Sequence, residues 1–256
     1  MVAPRFVLVR GLARESGHWH QFDRHLRSQI PDAEIERHDL LGNGALWRER
    51  SPLDTGSLAA ELRQRIWASD RRPAVLVAIS LGAMVCIESL RRWPDDPFVG
   101  LVAINTSVGG MCRPWERMRI PALVHTLGAL AIADPVEREL AILDLTTTEH
   151  RHDLDLAQRH AELHERRPIR RTNVIRQTIA AARFRLPHVA ESKPILLLSS
   201  AADRMVAPRC SEKLARALRA RLAVHPSAGH DLPLDDPRWC AEQTRSWLTA
   251  IACSPQ

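Results

Sequence analysis

The sequence predicts an α/β fold, with a mostly parallel sheet of about six strands flanked by helices and a helical insertion late in the chain. Three observations carry this expectation. Short apolar, β-branched runs alternate with longer amphipathic stretches, the order expected of βαβ units. One such run passes into a helix at a single serine, Ser80, with no spacer. From Thr106 to Ser192 the alternation stops, and for about eighty residues the pattern is helical, charged and free of strands.

In order along the chain, the first apolar run is Arg5 to Arg10, with a turn at Gly11 and a helix from about Gly17 to Ile30. A weaker strand, Ala33 to Asp39, leads to a polar loop with Gly42, Asn43 and Gly44, then a helix near Leu58 to Ser69. The run Ala74 to Ile79 and the helix Leu81 to Trp93 sit on either side of Ser80. Phe98 to Asn105 and Pro194 to Ser199 read as buried strands, because uninterrupted apolar runs suit strands covered on both faces. A helix at about Cys210 to Leu218, a last strand Arg221 to His225 and a C-terminal helix Pro237 to Ile251 complete the series. The expected division is a core formed by residues 1–107 and 192–256, with residues 108–191 as a helical cap inserted between strands.

Composition narrows the function. The 256 residues are 45% hydrophobic, enough for one core with an insertion. No apolar run approaches the roughly 20 residues of a membrane span. The N-terminal stretch lacks a small-residue cleavage site, so it reads as a strand and a cytoplasmic location is the expectation. Five scattered cysteines without a C-x-x-C pair are expected to be reduced thiols used in packing. A net charge of +6 comes from arginines spread along amphipathic helices, with no nucleic-acid-binding motif beside them, so a solvated surface is expected and nucleic acid is not a predicted partner. The group His150, His152, Asp153, Asp155 is read as a solvated face; no metal or cofactor is expected.

Ser80 stands out chemically. Leu76-Val77-Ala78-Ile79-Ser80-Leu81-Gly82 joins strand to helix, with small residues two positions to either side of the serine. This is the G-x-S-x-G elbow with alanine in the first glycine position, and the small neighbours let strand and helix approach. An ordinary helix N-cap would also fit the serine alone. The helix N-terminus beside it favours an oxyanion, and the N–H of Leu81 is the candidate donor. Asp203 lies in a loop after an apolar strand, followed by Met205-Val206, and is the candidate acid. Of twelve histidines, only His230 combines a preceding glycine hinge, a position after the last strand and a following helix; it is the candidate base. His225 and Asp231 are given structural roles.

Together, Gly11-Leu12, Ala78-x-Ser80-x-Gly82, Asp203 and Gly229-His230 resemble the α/β-hydrolase superfamily, in its compact serine hydrolase or esterase branch, and the likeness covers the chain apart from the cap. The resemblance implies a triad in the order Ser, Asp, His, and a second oxyanion donor at the backbone N–H of Leu12. Arg10 stands where the family carries histidine, which bears on how the oxyanion loop is pinned. Asn105 ends a strand where some members carry an alternative acid, and an amide cannot supply that charge. The activity implied is hydrolysis of a small carboxylic ester through an acyl-enzyme on Ser80. Alternatives are a thioesterase or acyltransferase serving an acidic carrier protein, and a non-catalytic ligand-binding member; carbon–carbon hydrolysis and haloperoxidation also occur on the scaffold. Apolar residues of the cap (Met111, Trp115, Leu123, Val124, Leu127, Leu130, Ile132) are expected to form its own core. Arg113, Arg117, Arg119, Arg167, Arg170 and Arg171 would rim an acyl pocket suited to an anionic substrate.

Overall fold

The computed structural model describes residues 5–68, 70–186 and 193–253. Met1 to Pro4, the predicted helix end at Ser69 and the predicted cap boundary at residues 191–192 lie outside the described residues. Six strands, β1 (Arg5–Val9), β2 (Glu34–His38), β3 (Ala74–Ile79), β4 (Phe98–Ile104), β5 (Ile195–Ser200) and β6 (Arg221–His225), form one sheet in the order β2-β1-β3-β4-β5-β6. Every neighbouring pair is parallel.

The four inner strands, β1, β3, β4 and β5, are buried and largely apolar because helices cover both faces. On one face, Phe6, Leu8, Val75, Val77 and Val102 pack with α1 (Phe22–Gln29) and the C-terminal helix (Pro237–Cys253) through Phe22, Leu26 and Trp247. On the other, Val7, Val9, Leu76 and Leu101 meet α2 (Thr55–Ile66), α3 (Leu81–Arg92) and α9 (Arg209–Leu218). The edge strands are more polar, β2 reading EIERH and β6 RLAVH; charges on an edge discourage pairing with another chain. The order reverses between β1 and β3, so the carboxyl ends of these two strands flank the crevice where ligands bind in open α/β sheets.

The helix predicted over Gly17 to Ile30 is divided: a 3-10 turn, Ser16–Trp19, precedes α1. Helix α2 starts earlier than its apolar pattern suggested, because Asp54 caps it by accepting from Ser57 N. Between β4 and β5 come five helices: α4 (Pro114–Arg117), α5 (Ile120–Ala131), α6 (Pro135–Thr146), α7 (Leu154–Arg166) and α8 (Arg171–Arg183). The apolar residues of this insertion do not all form a core of their own. Leu143, Leu156 and Ala157 do, whereas Ile120, Leu123, Val124, Leu127 and Leu130 of α5 are exposed, as is Trp115. Helix α5 carries no Asp, Glu, Lys or Arg and buries only Ala122 and Ala129. Two arginines also depart from the solvated surface expected of them. Arg5 is buried, donating to the carbonyls of Ile66 and Asp70, and Arg10 is buried beneath the crevice. Among the described residues no helix is long and apolar enough to cross a membrane.

Candidate active site

Ser80 occupies the single-residue junction between β3 and α3, with φ +55° and ψ −120°. Positive φ is costly for a residue with a side chain, on the order of 1–3 kcal/mol, and the surroundings hold it there. Ser80 N donates to Ile104 O at 2.9 Å, and Thr106 Oγ1 donates to Ser80 O at 3.0 Å. The small residues are required by contact. A Cβ at position 82 would lie 2.6 Å from Arg10 O and 2.7 Å from Val9 O, both backbone atoms. At position 11 it would meet Ser80 Cβ and Ile79 O at 3.1 Å, so the β1 loop crosses directly beside the serine. Ala78 fits with its methyl fully buried.

Asp203 and His230, 27 residues apart, meet at the carboxyl ends of β5 and β6. His230 Nδ1 is 2.8 Å from Asp203 Oδ2, and Asp203 Oδ1 accepts from the N–H groups of Met205 (2.7 Å) and Val206 (2.9 Å). Asp203 is 1% exposed. A carboxylate on Nδ1 assigns the proton to that nitrogen and leaves Nε2 as an acceptor. Burial works against the charged imidazolium, but the Asp203 charge and hydrogen bond, with help from Asp231, outweigh it and raise the pKa of His230. Ser80 and His230 line one cavity of about 170 Å³. Leu12 lines it also; Leu81 is the first residue of α3, where N–H groups lie outside the intrahelical ladder.

Three contacts that the sequence does not reveal support the site. Arg10 and Asp231 form a buried ion pair, Nη1 to Oδ1 at 2.9 Å with a second contact from Nη2 to Oδ2. Arg10 also stacks over Trp19. The departure from histidine at position 10 is thus matched by an acid beside His230, so the loop that follows β1 and the His230 loop are pinned to each other. Asn105, noted only as an absent acid, donates to Ser200 Oγ (3.0 Å), Gly229 O (3.2 Å) and His230 O (2.8 Å), and accepts from Ser200 N (2.9 Å). It ties the ends of β4 and β5 to the His230 loop. The third is helix α6: Thr146 O accepts from Asp231 N at 2.8 Å, and Gly229 packs so close that a Cβ would lie 2.6 Å from that same oxygen. Residue type gave no signal for these, since each pairing spans more than ninety residues for Asn105–Ser200 and Arg10–Asp231.

The alpha/beta hydrolase family model matches residues 6–243. The chain belongs to that family. No curated protein matches it. Among solved structures, this hydrolase-family chain is similar to the esterase RhEst1 from Rhodococcus sp. ECU1013 at 18% identity, with 97% of this chain and 91% of that one covered and a TM-score of 0.75. A hydrolase from Pseudomonas aeruginosa PA01 gives 19% identity, 96% and 89% coverage and a TM-score of 0.73. The 2-hydroxy-6-oxo-6-phenylhexa-2,4-dienoate hydrolase of Rhodococcus sp. strain RHA1 gives 16%, 96% and 91%, and 0.75. At these identities the likeness is one of fold.

The insertion roofs the cavity of this alpha/beta hydrolase with α5 through His125, Thr126, Ala129 and Leu130, with α6 through Arg138, Glu139, Ile142 and Leu145, and with Ile169 and Val174. Four cysteines (Cys86, Cys112, Cys210, Cys240) are buried and Cys253 is exposed, all as free thiols. Burial pushes the Cys86 and Cys240 thiols up, away from the reactive thiolate. His150 pairs with Asp153, which caps α7, so this cluster is spent on the helix start. Among the described residues no group of three His, Cys, Asp or Glu side chains could hold a metal ion.

Proposed function

We propose that the protein hydrolyses a carboxylic ester through an acyl-enzyme on Ser80, with His230 as general base and Asp203 as the carboxylate that orients it. The observation that carries this reading is the arrangement at one cavity: a serine on a strained elbow, and a buried imidazole whose Nδ1 is occupied by a buried carboxylate at 2.8 Å. The apolar lining from Leu130, Ile142, Leu145 and Val174 suits a short acyl or alkyl group.

In the proposed sequence His230 Nε2 takes the Ser80 hydroxyl proton as Oγ bonds to the ester carbon, and the carbonyl π pair moves to oxygen as an oxyanion. The N–H groups of Leu12 and Leu81 stabilise that charge. Collapse re-forms the carbonyl, breaks the bond to the alcohol oxygen, and His230 returns the proton to the leaving alcohol. A water, deprotonated by the same imidazole, attacks the acyl-enzyme; the second collapse releases the acid and returns the proton to Ser80. A fluorophosphonate probe tests the assignment. Peptide mapping is expected to find the label on Ser80, and Ser80→Ala is expected to abolish both labelling and hydrolysis of short p-nitrophenyl esters. Label on another residue, or esterase activity surviving in Ser80→Ala, overturns it.

A further inference from the structure

Three arginines line the cavity that holds Ser80, and they are not equivalent. Arg10 is neutralised by Asp231. Arg14 is neutralised by Glu139, at 2.7 Å; burial resists ionisation of Glu139, but Arg14 and His160 more than offset it and hold its pKa down to about 2. Arg138, on α6, pairs with no carboxylate among the described residues, and its side chain makes one hydrogen bond, Nη1 to Ile132 O at 3.3 Å. It is half-buried. The neighbouring His164 adds no second cation, because burial, then the Arg138 charge, lower its pKa. None of the six rim arginines expected from the sequence, Arg113, Arg117, Arg119, Arg167, Arg170 and Arg171, lines this cavity. Arg117 is engaged by the carbonyls of Ala181 and Ala182, Arg119 by Asp203 O and Arg167 by Glu15.

A cation in a partly desolvated wall, lacking a counter-charge, attracts an anion more strongly than one in open water, and a guanidinium presents a fork matched to a carboxylate. We propose that Arg138 is a specificity-determining residue that binds a carboxylate on the substrate, so that the preferred esters carry an anionic end separated from the scissile carbonyl by a short apolar body. Resting on the hydrolase reading above, this names its substrate class: half-esters of short dicarboxylic acids and their close analogues. Ile142 and Leu145 lie about one and two turns along α6 from Arg138, toward the Thr146 carbonyl that holds Asp231 beside His230, and as cavity-lining residues they would face the connecting methylenes.

Monomethyl glutarate and methyl pentanoate have acyl chains of equal length and differ in the terminal carboxylate. Their hydrolysis, followed by pH-stat, gives a ratio of kcat/KM values for the wild type, Arg138→Gln, Arg138→Lys and, as a control that removes the same charge from the exposed start of α8, Arg170→Gln. The wild-type ratio is expected to favour the half-ester; Arg138→Gln is expected to lower that ratio about tenfold or more, the scale of one charge-assisted hydrogen bond. Arg138→Lys should retain part of the preference and Arg170→Gln all of it. An unchanged ratio in Arg138→Gln overturns the proposal. Binding of glutarate itself by calorimetry separates this from failure of the hydrolase reading. If no ester is cleaved and Ser80 is not labelled, glutarate affinity that falls about tenfold in Arg138→Gln sustains the anion site. Absence of glutarate binding, or tighter binding of inorganic phosphate at the same residue, overturns the carboxylate assignment.

Discussion

Arg10 and Asp231 are buried together, and a buried charge that loses its partner is expensive. Arg10→Met is expected to cost roughly 3–5 kcal/mol of unfolding free energy, read by urea titration, because it strands Asp231; Arg10→Met combined with Asp231→Leu should recover most of that. Burial resists ionisation of Asp231, but Arg10 overcomes it and depresses the pKa. A depressed carboxyl stabilises the fold above its unfolded pKa of about 3.9, and that contribution is lost as pH falls through the lower folded value. The stability gap between the wild type and the double variant should therefore narrow below about pH 4. His230 has the opposite sign. With its pKa raised, the proposed base is neutral only above that value, so kcat/KM should decline on acidification with a midpoint above the ordinary 6.5 of histidine. Asp203→Asn should lower kcat by about 10⁴-fold, since an amide can leave the imidazole in the wrong tautomer.

At the level of elements, the elbow is the most constrained segment. Gly82→Ala sets a methyl against the backbone carbonyls of Val9, the last residue of β1, and of Arg10 after it, and overpacking of this kind costs about 1–3 kcal/mol. Labelling of Ser80 by the fluorophosphonate should slow in the same variant, since the loop that follows β1 carries Leu12, the proposed second donor. Helix α5 gives a contrary expectation. Val124 is 65% exposed and Leu127 59%, so Val124→Lys or Leu127→Lys should change unfolding free energy by no more than about 0.5 kcal/mol despite replacing apolar residues. These two cases show what the sequence could convey. Strands β1, β3, β4 and β5 were legible because a strand covered on both faces is apolar at most positions, and Ser80 because the elbow demands small residues at fixed offsets. Asp203 and His230 were legible from their places after strands. The face that α5 turns to solvent was not, since an apolar helix reads as core whether or not anything covers it. Nor was Arg138 separable from the thirty-five other lysines and arginines: a missing counter-charge is a property of neighbours, visible only once the chain is folded.

For the molecule as a whole, the parallel sheet brings loops from four strand ends, those of β1, β3, β5 and β6, to one edge, and the insertion between β4 and β5 lies over them. The link between the two is specific. Beyond the Thr146 contacts, Arg204 donates to the carbonyls of Asp144 and Thr147, and Asp235 accepts from Thr148 N and Gly229 N. Inserted roofs in α/β proteins are natural candidates for exchange when a different specificity is wanted, as loops are in other scaffolds. Here such a transplant would take away the carbonyl that fixes Asp231 and with it one wall of the seat on which His230 rests. A grafted insertion without an equivalent of Thr146 should therefore lose turnover on every substrate alike, and new selectivity would have to be introduced by changing side chains within the existing helices.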